Sequence, residues 1–304
     1  MSDWADLPDD LLNVILSKVF AKDRQSFGLV CRSWNTVAAS SPYRYSPCLM
    51  YYHRSMHKWR FYQYNSFFCM DFPELENAEI RCSNYGWLLM SRYDNNLHGE
   101  DEWEINEYRP NKNEFLVSRG APVLHRGLLY FLDVKGNVAT FNMSKCDDCK
   151  PRLHVKFRCL RRRRLGNKIK EHFLFKIKGE EALFAVFLLH EERKVNMYRL
   201  LEPEMKWEPV EDIGDKILYL SHASSFGDTA FLKNMANRIY FSRFHGDSAV
   251  FYTLSSGKYH SLDGDYSENN SYGLKRLDFA TWITPAPTPE YLAAEMTWCS
   301  QGST

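Results

Sequence analysis

Residues 3–40, read as DWADLPDDLLNVILSKVFAKDRQSFGLVCRSWNTVAAS, carry more apolar side chain than so short a piece can bury alone. Three short helical patterns stand back to back. Pro8 suits a helix start because its φ is preset and it needs no amide partner, and Asp9 and Asp10 follow where the helix dipole favours carboxylates. Leu11, Leu12, Ile15, Leu16 and Val19 then form a wide apolar stripe. Asp23 is an N-cap for a second pattern carrying Phe27, Leu29 and Val30. A third pattern carries Cys31, Trp34, Val37 and Ala38 and stops at Ser40, Ser41 and Pro42. A helical piece below about 40 residues needs a disulfide, a metal or a packing partner. That partner is either the rest of the same chain or a second protein.

The run Leu7-Pro8, two acids, Leu11-Leu12, Ile15-Leu16, then Leu29-Val30-Cys31-Arg32 and Trp34 resembles the F-box. The resemblance implies docking on a Skp-type adaptor and, through it, on a cullin scaffold. By the same resemblance the adaptor-facing residues are Leu7, Pro8, Leu11, Leu12, Ile15, Val30 and Trp34, with Trp4 beside them. Arg24 departs from the family, many of whose members carry leucine there.

The remaining sequence has a different texture. Beyond Pro47 helical periodicity gives way to aromatic, β-branched and turn residues, and aromatics reach 15% of the chain. Residues 128–134 and 138–142 flank Lys135-Gly136-Asn137, a hairpin signal. Residues 182–189 and 195–200 form a second hairpin, and 238–243 with 250–254 a third, across His245-Gly246-Asp247. A fainter unit starts at Tyr85-Gly86-Trp87 and returns through 103–108. Trp87, Tyr130, Phe184 and Tyr240 head these units at spacings of roughly 40–55 residues, a propeller-like repeat. Radial repetition hides the strand edges that an open sheet of this size would expose.

Several blocks resemble the KIB-type β-propeller that follows the F-box in a large plant group. These are Tyr85-Gly86-Trp87-Leu88-Leu89, Gly127-Leu128-Leu129-Tyr130-Phe131, Trp207-Glu208-Pro209-Val210 with Ile213-Gly214-Asp215 and the strand to Leu220, Asn237-Arg238-Ile239-Tyr240-Phe241, and Trp282-Ile283-Thr284-Pro285. The expected architecture is α+β and multidomain: a three-helix F-box at 3–45, then an all-β domain at 48–300, a five- or six-bladed β-propeller.

Lys+Arg 39 against Asp+Glu 38 leaves a net charge of +1, so no global field recruits nucleic acid or membrane. The amino terminus has neither the basic region nor the apolar core of a signal peptide. Eight cysteines without a regular framework fit a reducing cytoplasm or nucleus. No serine-hydrolase elbow, phosphate-cradling loop or His-Glu-x-x-His appears, so a non-catalytic protein is expected. His53 and His57 stand four apart among aromatics that indicate strand or loop, not a metal-binding helix.

Cys146, Cys149, His154 and Cys159 have the spacing of a zinc knuckle, and Arg161 to Arg164 follow. Lys150 and Leu153 replace the glycines such knuckles carry, and Leu153, Val155 and Phe157 alternate as on a half-buried strand. The strand reading is taken, with no metal or cofactor. An RNA-binding protein working through 146–164 is the alternative, as is an F-box protein acting outside any ligase. The leading expectation is a substrate receptor of a Skp–cullin–F-box ubiquitin ligase, holding the adaptor at one end and a client protein at the other.

Overall fold

Two compact units make up the chain, Met1–Pro47 and Cys48–Thr304. The structure is a computed structural model that describes residues 4–16, 24–40, 47–63, 66–76, 78–84, 87–92, 103–106, 115–118, 120–142, 153–156, 169–189, 194–202, 204–230, 232–261, 275–276 and 280–284.

The first unit holds a 3-10 turn (Trp4–Asp6) and three helices, α1 (Asp9–Leu16), α2 (Arg24–Gly28) and α3 (Arg32–Ser40). The Pro8 carbonyl accepts the Leu12 N–H at 3.0 Å and so closes the first turn of α1, with Asp9 and Asp10 just inside it. Leu12, Leu16, Phe27 and Val37 form the unit's own core, and Leu7, Ile15, Trp34 and Ala38 pack at its margin. The Phe27 and Trp34 rings meet at 4.4 Å. Of the second pattern's Phe27, Leu29 and Val30, only Phe27 lies on the helix. The α2 helix ends at Gly28, the Leu29 and Val30 N–H groups bond back to the Ser26 and Phe27 carbonyls, and both side chains are exposed. Asp23 lies outside the described residues.

The second unit is all β apart from two 3-10 turns, among the described residues. Strands β1 (Cys48–His53), β2 (Lys58–Gln63) and β3 (Ser66–Met70) form an antiparallel meander. Two short ladders follow, β4 (Ala78–Asn84) with β5 (Trp87–Arg92) and β6 (Trp103–Asn106) with β7 (Phe115–Ser118). Next come two four-stranded meanders. One is β8 (Val123–His125), β9 (Leu128–Leu132), β10 (Val138–Asn142) and β11 (Leu153–Lys156); the other is β12 (Ile169–Ile177), β13 (Leu183–Leu189), β14 (Val195–Leu201) and β15 (Lys206–Val210). After a hairpin, β16 (Lys216–Leu220) and β17 (Ser225–Thr229), comes the meander β18 (Arg238–His245), β19 (Ser248–Thr253) and β20 (Lys258–Ser261), with β21 (Lys275–Arg276) beside β18. Finally β22 (Thr281–Ile283) returns to β1, pairing Cys48 with Ile283 and Met50 with Thr281.

Apolar clusters lie between successive sheets. Trp59 and Phe61 on β2 pack with Ile80, Leu88 and Met90 on β4 and β5. Tyr130 and Leu132 on β9 meet Phe187 and Trp207 of the next meander. Phe175 and Val186 meet Phe241 and Tyr252. Tyr240 and Phe251, finally, meet Tyr51, Tyr62 and Trp282 of the first sheet. Sheets stacked face to face, with the last against the first, are the arrangement of a β-propeller. The blades are numbered one to five as β22 with β1–β3, the two separate ladders β4–β5 and β6–β7 taken together, β8–β11, β12–β15 and β18–β20.

The hairpins at 128–142, 182–200 and 238–254 stand as the sequence suggests. At the first, the buried Asp133 carboxylate accepts the Lys135 and Asn137 N–H groups at 2.8 and 2.6 Å, and Gly136 takes φ 79°, which a side chain would strain. The fainter unit is corrected. Trp87 opens a strand that pairs backwards with Ala78–Asn84, and Trp103–Asn106 pairs forwards with Phe115–Ser118. Among the described residues β5 pairs with β4, and 103–106 with 115–118, so the two do not form one hairpin.

Candidate functional site

Among the described residues, five of the eleven exposed large apolar side chains belong to the helical unit: Leu29 (82% exposed), Trp4 (69%), Val14 (58%), Val30 (54%) and Leu11 (47%). That unit has already buried a core of its own, so these side chains are surplus to its folding. The residues expected to face an adaptor separate into three sets. Leu11, Pro8 and Val30 are exposed; Leu7, Ile15 and Trp34 are half-buried; Leu12 is fully buried in the unit's own core and supports the surface from beneath.

Trp34 has a second task. Its indole N–H donates to the Trp4 carbonyl at 3.0 Å, and the neighbouring Ser33 hydroxyl donates to the Ala5 carbonyl at 3.1 Å. The two bonds pin the 3-10 turn to α3 and present the Trp4 side chain to solvent. Val14 is not singled out by the sequence, and Leu29 is named in the helical pattern but not among the adaptor-facing residues. For Leu29 the signal was present, since Gly28 is a helix stop and leaves the next residue off the helix. Val14 sits one position off the stripe set by Leu11, Leu12 and Ile15, and no spacing rule separates it from an idle surface valine.

Among the described residues a concentrated polar site lies where the third blade meets the fourth. Arg126 and Gly127 turn the chain between β8 and β9 with φ 48° and 75°. Arg126 donates to Glu202 Oε2 at 2.9 Å and to Glu181 Oε2 at 3.1 Å, and the Tyr130 hydroxyl donates to Glu202 Oε1 at 2.5 Å. His125 Nε2 lies 3.5 Å from the same carboxylate. Burial holds the His125 imidazole below its usual value against the pull of Glu202, while burial and the bond to Glu202 push the Tyr130 phenol up. At neutral pH Tyr130 is therefore a donor and His125 is neutral. A carboxylate shared by an arginine and a phenol ties the two blades together.

Of the knuckle-like residues, His154 lies on β11 with its backbone opposite Thr140, while Cys146, Cys149 and Cys159 lie outside the described residues. His53 ends β1 and His57 occupies the following turn at φ 51°. No group of three or more metal-ligating side chains assembles among the described residues. No described helix is long and apolar enough to cross a membrane.

The chain joins a helical unit with surplus exposed apolar side chains to an all-β propeller domain. The F-box domain model matches residues 4–45 and the KIB1-4 beta-propeller model matches residues 98–271. The chain belongs to the KIB1-4 beta-propeller family and carries an F-box ahead of that domain. It is also similar to an F-box/kelch-repeat protein of Arabidopsis thaliana, 22% identical across 93% of this chain and 94% of that protein.

Proposed function

We propose that this protein is a non-catalytic substrate-receptor subunit of a Skp–cullin–F-box ubiquitin ligase, working in the cytoplasm or nucleus. The observation that carries the reading is the exposure of Leu11 and Val30 on an F-box unit whose own core is already complete. The helical end binds a Skp-type adaptor and the propeller binds a client protein. Holding both at once raises the effective concentration of the client's lysines at the conjugating enzyme without any chemistry in this chain.

The test is co-purification with a Skp-type adaptor. Leu11→Asp combined with Val30→Asp is expected to cut adaptor recovery by about a hundredfold or more, since buried interface anchors cost about 2 kcal/mol or more each. Both positions are exposed, so the melting temperature of the free chain should hold. Full recovery of adaptor with the double variant would overturn the reading. Trp34→Ala is the poorer probe because it also releases the Trp4 turn and the Phe27 ring.

A further inference from the structure

We infer that the β16–β17 hairpin is the hub on which the propeller ring closes, with the buried Ser221 hydroxyl as its latch. The hairpin belongs to no blade's antiparallel meander. Its two strands pair in parallel with the flanking blades, β17 with β12 through Lys176 and Phe226, and β16 with β18 through Leu218 and Ile239. This joins the fourth and fifth blades into one ten-stranded sheet. The fit is tight: a Cβ at Gly227 would lie 2.6 Å from Leu218 Cδ2 and 2.9 Å from Ile177 Cγ1, so a side chain there would have to displace Leu218 or Ile177.

The tip of the hairpin, residues 221–225, reaches the other blades one by one. The Ser83 N–H at the end of β4 donates to the Ala223 carbonyl at 3.2 Å, and the Ala121 N–H, just before β8, donates to the His222 carbonyl at 3.0 Å. The His222 ring stacks on Phe173 of β12 at 5.3 Å. Ser221 Oγ donates to the Ser224 carbonyl at 2.5 Å, accepts the Trp282 N–H at 3.1 Å and lies 3.2 Å from Thr281 Oγ1. A segment in contact with four blade positions at once lies where those blades converge.

The latch is needed because the other closure is short. The β22 strand has three residues and three register pairs with β1, against about five or six in an ordinary strand. Ser221 supplies the far side: Trp282 pairs with Leu49 on one edge while its N–H is taken up by the hub.

Hydrogen exchange read by mass spectrometry on the full chain tests this. In Ser221→Ala the amides of 48–53 and 280–284 are expected to exchange about tenfold faster, one net buried hydrogen bond's worth, while β13 and β14 keep their protection. Thr281→Val keeps the side chain's shape, removes one hydroxyl contact, and is expected to give the same regional pattern at about a threefold amplitude. This second variant decides the matter if Ser221→Ala yields no folded protein. Unchanged exchange at 48–53 and 280–284, or acceleration spread evenly over β12–β15, would overturn the inference.

Discussion

Two buried tryptophans at different blade junctions should respond in opposite ways to the same substitution. Trp207 packs against Phe187 and donates its indole N–H to the Gly136 carbonyl at 3.2 Å, reaching from the fourth blade to a turn of the third. Trp282 is packed between Tyr219 at 5.0 Å and Tyr240 at 6.3 Å, and among the described residues its buried indole nitrogen meets no acceptor. Replacing either by phenylalanine removes a similar ring volume, so the transfer and cavity costs nearly cancel between the two variants. What remains is the polar part. Trp207→Phe loses a bond and leaves the Gly136 carbonyl short of a donor, at about 1–3 kcal/mol; Trp282→Phe removes a donor whose desolvation already costs a similar amount. The two variants should therefore differ by about 2–4 kcal/mol, with Trp207→Phe the less stable. At about 2–4 °C per kcal/mol for a domain near 250 residues, this is a gap of roughly 4–16 °C in melting temperature. Thermal melts followed by near-ultraviolet circular dichroism, with denaturant titrations alongside, would measure it. Variants that melt within a degree of each other, or the reverse order, would refute the claim that hydrogen-bond satisfaction separates these sites.

The remaining predictions concern charge. Arg243 on β18 and Glu171 on β12 form an ion pair between the fifth and fourth blades, with both side chains nearly out of solvent. Arg243→Ala strands the Glu171 carboxylate from its guanidinium and should cost about 3–5 kcal/mol, whereas the double change Arg243→Met with Glu171→Leu should recover most of it; a single variant as stable as the parent in urea would contradict this. The His125 imidazole has a folded-state value held down by burial, so its contribution is present above the ordinary histidine value of about 6.5 and is lost as pH falls below it. The denaturant midpoint should accordingly fall between pH 7.5 and pH 5.5, and His125→Gln should show a shallower fall; identical slopes would count against it.

How much of this could be read beforehand varied with the range of the interactions. The hairpin at 128–142 was legible because its determinants are local: Gly136 permits the turn and Asp133 bonds amides two and four residues ahead. The unit around Trp87 was misread because a glycine turn shows that the chain reverses, not which neighbouring strand it pairs with. In the helical unit the sequence showed an apolar stripe but could not separate Leu11 from Leu12. Which of two adjacent leucines points inward was decided when α2 and α3 supplied Phe27 and Val37.

By itself the sequence determined the two-part division, the helical and strand periods and the turn chemistry, since each depends on residues a few positions apart and on the intrinsic geometry of the chain. Only the tertiary structure decided which apolar side chains of the helical unit stay in solvent, which blades share a polar junction at Glu202, and that residues 221–225 bring together Ser83, Ala121, Phe173 and Trp282. Those partners are far apart along the chain, and their bonds exist only once the ring has closed. No local pattern of residues encodes them.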